Sequence, residues 1–509
     1  MSKAATYTVI LMLTTTFAKV LGLARELTLS YVYGASAVAD AYIVAFSVPT
    51  VFFAGIGTAI LTCYITIYTG LKINNPGELK RFSNSVTTLV FLVSLSILTV
   101  FLVFDRQIVR MTAVGFTGET FDIAVTMSAI MMVSILFIGV YFILQGFLQI
   151  HGSFFAVGMV SVPLNLAAIA SIFASAKLGN YKLMGWGAVL GYAASFLMLY
   201  IAAKRRNYTF RPCFQFRSPY IKKLLLLMLP IFVGKEITQL NNMIDKTIAS
   251  FLPEGNVSVL HYASQLTGII NSVFALSVAA ALFPQLTRLN ACNNHKKLKT
   301  TFITGMGIMS LLVMPISAGV MIFSKEIVQM LFLRGAFTPA DVDNAARVLF
   351  FYSFGLMTFS IKDLTLNVFY AIEDTKTPTI NSLLALILNT AINLVLLKPL
   401  GAGGLALATS LSATITLFIL FFSLRRRIGP LGLRAFAVSL VKMLLATLGM
   451  VAVIIPVHGL LLGLTASVVL SLVLSVGCGA VVYGGLNILL RTREMGLVVV
   501  GVCERLHIK

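Results

Sequence analysis

The sequence contains 509 residues, of which 58% are hydrophobic and only 11% are charged. A soluble enzyme carries roughly 25% charged residues, so this composition excludes one, and the apolar content also excludes a disordered chain. The net charge is +21, but basic loops beside membrane spans explain that excess more simply than nucleic-acid binding. The five cysteines have no paired spacing, so neither a disulfide framework nor a zinc site is predicted.

Long apolar runs divide the chain into membrane-spanning helices, since about 20 apolar residues cross a bilayer as a helix. A β-barrel would instead show short strands of alternating hydrophobicity. The sequence therefore predicts an all-α polytopic membrane protein with about 14 transmembrane helices. These spans fall near residues 6–33, 38–70, 82–104, 120–150, 154–176, 183–203, 221–252, 256–287, 300–324, 340–372, 377–397, 402–424, 435–457 and 459–490.

Basic residues predict how the spans are oriented. They concentrate at the two termini and in the even-numbered loops, as in the runs Lys204–Arg206 and Arg425–Arg427. The odd-numbered loops hold few basic residues, among them Arg106 and Lys177. Because cytoplasmic loops carry the excess of Lys and Arg, the N- and C-termini are both predicted to be cytoplasmic.

Two halves of the chain resemble each other. Phe104–Met111 (FDRQIVRM) recurs as Phe323–Met330 (FSKEIVQM), and the two basic runs end the sixth and twelfth spans. A repeat of six spans keeps its orientation, so we expect two parallel six-helix lobes around a central cavity, as in alternating-access transporters. The predicted organisation is an N-lobe over 1–216 (spans 1–6), a C-lobe over 217–430 (spans 7–12), and two appended C-terminal helices with a cytoplasmic tail over 431–509.

Five basic residues within the spans are hard to explain as solvated charges. They are Lys19 and Arg25 in span one, Lys235 and Lys246 in span seven, and Lys362 in span ten. Each costs about 2.5–3.5 kcal/mol at the centre of a membrane helix, so each needs a partner or a wet cavity. Spans one and seven are equivalent in the repeat, so both are expected to present cations to the cavity. A cationic cavity favours an anionic substrate held by charge-assisted hydrogen bonds.

Span seven carries these cations on a polar stripe. Its residues Lys235, Gln239, Asn242 and Lys246 fall within about a 60° wedge of the helix. The alternative is that Glu236 and Asp245 neutralise the two lysines within the bundle. Neighbouring residues point about 100° apart on a helix, however, so the pattern favours a stripe that faces the cavity.

Four segments carry a family signature. They are Lys19–Glu26 (KVLGLARE), Ala39–Tyr42 (ADAY) with Pro49 beyond it, Arg334–Thr338 (RGAFT) and Phe369–Pro378 (FYAIEDTKTP). In order and with a matching number of spans, they resemble motifs of the MurJ (MviN-type) lipid II flippases, within the multidrug/oligosaccharidyl-lipid/polysaccharide (MOP) exporter superfamily. The resemblance covers the whole chain.

The resemblance implies a transporter rather than an enzyme, located in the bacterial cytoplasmic (inner) membrane. Such a flippase moves lipid II, an undecaprenyl-diphosphate disaccharide-pentapeptide, from the inner to the outer leaflet by alternating access. It also implies that spans 13 and 14 hold the polyprenyl tail. With the polar stripe, it gives a predicted headgroup site of Lys19, Arg25, Glu26, Asp40, Lys235, Gln239, Asn242, Lys246 and Lys362. Lipid II and membrane lipids are the expected partners of a monomer, with no nucleic acid and no cofactor.

The sequence departs from the family pattern at two positions. The usual span-two arginine falls in Val51–Phe53, and the usual span-eight arginine falls at Gln265. A flippase for another undecaprenyl-linked oligosaccharide, such as a capsule, teichoic or O-unit, therefore remains an alternative. A cation-coupled drug exporter and a membrane glycosyltransferase are weaker ones. The latter needs surface carboxylates with a metal, for which Asp341 and Asp343 are the candidates.

Some family members have a sodium site, and the resemblance extends it to this chain. The residues that match are Asp245, Asn389, Asn393 and Thr409. Oxygen ligands suit a hard cation, but polar residues that bond between helices would give the same pattern. Coupling to Na⁺, to H⁺ or to the membrane potential stays open.

Overall fold

The computed structural model describes residues 3–465 and 467–497, and all regular secondary structure in these residues is helical. A 3-10 helix covers Pro76–Glu78. The α-helices are α1 (Lys3–Tyr33), α2 (Ala37–Asn74), α3 (Leu79–Val103), α4 (Asp105–Thr112), α5 (Gly118–Met132), α6 (Ile135–Ile150), α7 (Phe154–Gly158), α8 (Val162–Leu178), α9 (Lys182–Lys204), α10 (Pro219–Ala249), α11 (Asn256–Ala291), α12 (His295–Ile322), α13 (Ser324–Phe332), α14 (Pro339–Ser353), α15 (Leu356–Ala371), α16 (Lys376–Leu400), α17 (Ala402–Ile428), α18 (Leu433–Thr465) and α19 (Val468–Leu489).

Many of these helices are long enough to cross a membrane. Among the described residues, 10 helices pass a test of length and hydropathy, and the pair α5 and α6, bent by 43°, would make 11 spans. Helices α1 and α11 and the pair α14 and α15 occupy the three other predicted span positions without being among these. The all-α membrane fold is therefore confirmed, whereas the number of 14 spans stays a prediction.

The order of helices repeats along the chain. The long helices α1, α2 and α3 are followed by the short α4 and the broken pair α5 and α6, and the long helices α10, α11 and α12 are followed by the short α13 and the broken pair α14 and α15. The repeated motifs Phe104–Met111 and Phe323–Met330 form these two short helices. The internal repeat is thus a repeat of secondary structure as well as of sequence.

Local sequence signals begin and end several helices. The Ser36 hydroxyl accepts a hydrogen bond from the Ala39 backbone N–H at the start of α2, and Asn294 accepts one from Lys297 at the start of α12. Pro219 occupies the first turn of α10, where its missing N–H costs nothing. Gly179 ends α8 with a φ of 62°, in the left-handed region that glycine adopts without strain.

The chain forms two compact units. The first contains the residues up to Ser258 together with Arg334–Thr338, and the second contains Val259–Leu333 and the residues from Pro339 onward. In the first unit α2 packs against α5, α6 and α10. In the second unit α16 packs on α17 and α18 packs on α19, and two apolar clusters form the core.

These packing units are a different division of the chain from the predicted lobes. A packing unit groups residues in contact, whereas a lobe groups residues related by the repeat. Helix α10, which begins the predicted C-lobe 217–430, packs on α2 within the first unit. The lobe boundaries 1–216, 217–430 and 431–509 stay predictions.

The family motif Arg334–Thr338 explains why a distant segment joins the first unit. The Ala336 backbone N–H donates to the Tyr31 carbonyl oxygen at 2.9 Å. Gly335 has a φ of 62°, and a Cβ at this position would collide with the Tyr31 backbone. Only glycine meets both conditions, so this motif allows a close backbone approach to the end of α1.

Candidate functional site

Arg25 and Glu26, neighbours on α1, form a buried ion pair. The Arg25 Nη2 and Nε atoms donate to Glu26 Oε1 at 2.5 and 3.2 Å, and only 12% and 4% of the two side chains are exposed. The Arg25 guanidinium also stacks on the Phe46 ring of α2, at 4.5 Å from the ring centroid. Ion pairing and stacking together let a charged arginine remain in a low-dielectric setting.

Lys246 brings a second cation to this pair. It is partly buried near the end of α10 and interacts electrostatically with both Glu26 and Arg25. We call Arg25, Glu26 and Lys246 the basic cluster. Two cations and one carboxylate leave these three residues with one net positive charge, so the cluster attracts an anion. Three residues predicted from two distant spans are thus brought together within the first unit.

An aromatic group borders the basic cluster. The rings of Tyr42 and Phe46 stack at 5.9 Å between centroids, and Tyr192 stacks on Phe46 and on Tyr141, each at 6.4 Å. Tyr42 and Tyr192 both interact electrostatically with Arg25. Of these residues only Tyr42 belongs to a motif noted in the sequence, Ala39–Tyr42, and none of them was predicted as a site residue. The spacing of Tyr42 and Phe46, four residues apart on one helix, was the signal available for finding them.

Lys19 and Asp40 are placed differently from the basic cluster. Lys19 lies two turns before Glu26 on α1 and is exposed. The Asp40 side chain is buried, and its Oδ2 and Oδ1 atoms accept hydrogen bonds from the backbone N–H groups of Gly255 and Ser258, each at 2.7 Å. Asp40 therefore caps the first turn of α11, a structural task that its motif did not reveal.

The polar residues of α10 differ in their surroundings. Lys235 and Asn242 are exposed and Gln239 is partly exposed. Glu236 turns toward α2, where its Oε1 atom accepts a hydrogen bond from the Gly55 backbone N–H at 3.0 Å. The Glu236 Oε1 atom thus binds the backbone of α2.

Lys362 lies in the second unit, on α15. Its Nζ atom donates to the Thr416 hydroxyl of α17 at 3.1 Å, and Asn381 donates to the carbonyl oxygen of the same threonine at 3.0 Å. The neighbouring Asp363 accepts a hydrogen bond from Asn271 of α11 at 3.0 Å. In this structure Lys362 is held by a neutral hydroxyl on an adjacent helix.

The predicted sodium ligands are divided between the two units. In the second unit the Asn393 amide donates to Asn389 Oδ1 at 2.9 Å, and the Asn389 amide donates to the Thr409 hydroxyl at 3.1 Å. Asp245, which is buried, belongs to the first unit. The three residues of the second unit form a connected, oxygen-rich chain across α16 and α17, and the whole set stays a prediction.

The acidic pair considered for a metal is engaged in another way. Asp343 Oδ1 and Lys325 Nζ form an exposed ion pair at 2.7 Å, and the Asp343 carboxylate raises the pKa of Lys325. No group of three or more His, Cys, Asp or Glu residues that could hold a metal occurs in residues 3–465 and 467–497.

The motif Phe369–Pro378 spans the loop between α15 and α16. Asp374 accepts hydrogen bonds from the Thr377 backbone N–H at 3.0 Å and from its hydroxyl at 2.7 Å, and it pairs with Arg427 Nε at 3.1 Å. Partial burial raises the pKa of Asp374, but the bonds from Thr377 and the charge of Arg427 outweigh it and hold the pKa below its ordinary value. The motif therefore joins the start of α16 to the end of α17.

Solved structures with the same fold are transporters. "Lipid II flippase MurJ, inward closed conformation" matches with a TM-score of 0.79 at 24% identity, over 95% of this chain and 99% of that one. "Inward-facing conformation of a multidrug resistance MATE family transporter of the MOP superfamily" matches with a TM-score of 0.70 at 15% identity, over 83% of this chain and 98% of that one. This chain therefore has the fold of these membrane transporters, with charged residues within its helices.

Sequence comparison narrows this class to one family. The family model described as "Lipid II flippase MurJ" matches residues 29–475. A "Probable lipid II flippase MurJ" of Thermotoga maritima is 28% identical over 488 residues, covering 94% of this chain and 95% of the relative. A protein of the same description from Rickettsia prowazekii is 28% identical over 422 residues, covering 81% and 82%. The chain belongs to the lipid II flippase MurJ family.

Family membership confirms several predictions. The chain is a multi-pass protein of the bacterial inner membrane and belongs to a family of flippases, so the prediction of a transporter rather than an enzyme is confirmed. The predicted resemblance to MurJ proteins, made from four short motifs, is confirmed over most of the chain.

Proposed function

We propose that this chain moves lipid II from the inner to the outer leaflet of the bacterial cytoplasmic membrane by alternating access. The observation that carries the proposal is the basic cluster, a net cationic group of Arg25, Glu26 and Lys246 inside a membrane-spanning unit. A buried net positive charge in a membrane is costly unless an anion compensates it. The diphosphate of the lipid-linked substrate is such an anion, and the family is one of lipid II flippases.

Arg25 has donors left for a diphosphate. The guanidinium carries five N–H groups, and Glu26 Oε1 accepts from only Nε and Nη2, so the Nη1 hydrogens are available to phosphate oxygens. Lys246 adds a second positive charge that interacts with the same carboxylate. A diphosphate that binds Arg25 competes with Glu26. While no substrate is bound, the ion pair with Glu26 compensates the charge of the buried arginine.

The other predicted headgroup residues act around this cluster in the proposal. Lys19 and Lys235 are exposed and attract the headgroup as it approaches, with Gln239, Asn242 and Lys362 adding hydrogen bonds along the path. Asp40 acts by capping α11 rather than by contact with the headgroup. The two lobes rock while the polyprenyl tail stays in lipid along α18 and α19, the helices of spans 13 and 14.

We further propose that the transporter works as a monomer with both termini in the cytoplasm and without a cofactor. A sodium ion at Asp245, Asn389, Asn393 and Thr409, a proton gradient or the membrane potential resets the cycle. The connected amide and hydroxyl chain of Asn389, Asn393 and Thr409 supports the sodium alternative.

A flippase for another undecaprenyl-linked oligosaccharide is the second candidate. It is favoured by the uncharged residues Val51–Phe53 and Gln265 at positions where the family usually has arginines. Every such substrate carries the same lipid-linked phosphate, so the basic cluster would serve either headgroup.

Depletion rescue separates these two candidates. The chain is expressed in a bacterium whose own lipid II flippase is switched off, and lipid II accessible on the outer leaflet is measured along with growth. Growth with accessible lipid II is the expected result. Failure to rescue despite full-length protein in the membrane would contradict lipid II transport and favour the other oligosaccharide.

Variants of Arg25 test the cluster in the same assay. We expect Arg25→Ala to lower flipping at least about tenfold, because it removes a charge-assisted contact to the substrate and one of the two cations beside the buried Glu26. Arg25→Lys restores the charge without the planar fork and should recover only part of the activity. Membrane abundance of both variants is compared with that of Arg110→Ala, which removes an arginine stacked on Phe121 outside the cluster. Normal rescue by Arg25→Ala would contradict the role of Arg25.

A further inference from the structure

An apolar cavity of about 410 Å³ opens on the side of the first unit, apart from the basic cluster. Helices α3, α6 and α9 and the loop after α9 line it, through Phe91, Leu144, Tyr200, Phe210 and Phe214 among others. Phe91 and Phe214 are 42% and 67% exposed. Phe91 lies on the membrane-spanning helix α3, where exposed apolar side chains face lipid, so the cavity opens toward the bilayer beside Phe91. Its size is that of an ordinary ligand site of about 300–1,000 Å³.

Hydrogen bonds fix the loop that closes one side of this cavity. The buried Tyr208 hydroxyl bonds to the Thr87 hydroxyl of α3 at 3.0 Å, and the Cys213 backbone N–H donates to the Thr88 hydroxyl at 3.1 Å. Two neighbouring threonines on α3 therefore hold the loop at Tyr208 and at Cys213, on either side of Phe210. The cavity wall is part of the folded unit rather than a passing arrangement of a surface loop.

Arginines lie close in sequence to the lining residues of the loop. Arg205 and Arg206 follow the last turn of α9, and Arg211 lies between the lining residues Phe210 and Pro212. All three arginines are exposed, and none forms an ion pair within the described parts of the chain. The sequence between Asp122 and Glu236 contains no acidic residue at all. An apolar cavity lined by a loop with unpaired arginines complements a ligand with a hydrocarbon chain and an anionic head.

We infer that this cavity binds an anionic phospholipid of the cytoplasmic leaflet, with an acyl chain in the cavity and its phosphate on Arg205, Arg206 and Arg211. The loop lies on the predicted cytoplasmic side, where anionic headgroups and Arg side chains meet. The site is separate from the transported lipid, so it does not depend on the proposed flippase function. Its role is to hold a resident lipid against α3 and α9.

Photocrosslinking in defined vesicles tests the site. The full chain, with the photoreactive amino acid p-benzoylphenylalanine at Phe210 or, in a second variant, at Phe214, is reconstituted with equal amounts of phosphatidylglycerol and phosphatidylethanolamine. The matched control places the same amino acid at Phe418, which is 66% exposed on α17. Crosslinked lipids are identified by mass spectrometry. We expect phosphatidylglycerol to exceed phosphatidylethanolamine at least about tenfold at Phe210 or Phe214, and to equal it at Phe418.

Charge removal tests the arginines. In one triple variant, glutamine replaces Arg205, Arg206 and Arg211. This variant should lose the preference for phosphatidylglycerol in crosslinking at Phe210. The control Arg425→Gln with Arg426→Gln, at the repeat-related end of α17, should leave it unchanged. Crosslinks at Phe210 and Phe214 that match the vesicle composition would overturn the inference, and so would a preference that survives the arginine changes. Displacement of phosphatidylglycerol by added undecaprenyl phosphate would assign the cavity to the polyprenyl lipid instead.

Discussion

Asp374 shows at the residue scale how a loop carboxylate joins two helices. Its charge is stabilised by Thr377 and Arg427, so its pKa in the folded protein lies below the unfolded value of about 3.9. The stabilisation is fully present above that unfolded value and is lost as the pH falls through the lower folded pKa. Acid should therefore weaken the junction of α16 and α17 only at low pH.

Substitution of Asp374 tests whether this stabilisation is lost on acidification. Asp374→Asn keeps an oxygen that accepts from Thr377 but removes the charge, and we expect it to cost about 0.5–1 kcal/mol at pH 7, since Arg427 is largely exposed. The apparent melting temperature in detergent is measured at pH 7 and near pH 3, where the difference between the two proteins should shrink. The control is Arg425→Gln, which removes an exposed charge from the same basic run. An equal difference at both pH values would contradict the expected titration.

The ion pair of Arg25 and Glu26 was beyond prediction from helical spacing alone. Neighbours on a helix point about 100° apart, which argues against contact between them. The long arginine side chain bends across this angle, and Phe46 of another helix holds it in place. The sequence identified both charges, but the partner of each depended on what packed against α1.

At the scale of elements, the contact of α2 with α10 depends on one glycine. Glu236 Oε1 accepts from the Gly55 backbone N–H, and a Cβ at Gly55 would overlap the Glu236 carboxylate. We expect Gly55→Ala to destabilise the protein by about 0.5–1.5 kcal/mol, because the Glu236 side chain must move away and lose its hydrogen bond to the Gly55 N–H. Thermal unfolding in detergent measures the effect.

Two comparisons make this prediction specific. Gly70 lies on the same helix with nothing near its missing Cβ, so Gly70→Ala should be neutral or slightly stabilising. Glu236→Ala removes the group that Gly55→Ala collides with, so the double variant should be more stable than the sum of the two single changes predicts. Additive effects would show that Gly55 and Glu236 do not interact.

The role of Asp40 at the start of a helix could also not be predicted from the sequence. The motif placed it among headgroup residues, whereas the structure uses both carboxylate oxygens on the first turn of α11. A capping carboxylate and a binding carboxylate look alike in sequence. The difference lies in a backbone more than two hundred residues away, which only the folded chain brings near.

At the scale of the whole molecule, the distribution of basic residues predicts the orientation in the membrane. Cys292 is exposed just after α11, in a loop predicted to be cytoplasmic, and Lys177 is exposed in a loop predicted to lie outside. In a chain whose other cysteines are replaced by serine, a membrane-impermeant maleimide should leave Cys292 unlabelled in intact spheroplasts and label it after permeabilisation.

The reverse pattern is expected for Lys177→Cys in a cysteine-free chain, which should be labelled in intact spheroplasts. These two positions control for each other, since both are exposed and differ only in predicted side. Labelling of Cys292 without permeabilisation would contradict the predicted topology. It would mean either that the N-terminus lies outside or that an odd number of spans separates a cytoplasmic N-terminus from this loop.

The sequence by itself determined the class of this protein. Its apolar runs are long enough to cross a membrane as helices, and it has few charges. A chain segment in lipid must satisfy its backbone hydrogen bonds within itself, so these local properties are enough to predict an all-α membrane protein. The repeated order of helices agrees with that prediction. Four short motifs were enough to indicate the family, although the departures at Val51–Phe53 and Gln265 left the transported oligosaccharide open.

Tertiary structure alone decided what each polar residue does. In the folded chain Arg25 pairs with Glu26, and Lys246 interacts with both. Asp40 accepts hydrogen bonds at the start of α11, and Glu236 accepts one from Gly55. The physical reason is that a buried polar group must find a partner, and that partner lies wherever packing places a donor or a charge. The sequence predicts the type of a residue and the helical face on which it lies, whereas the tertiary structure determines its partner.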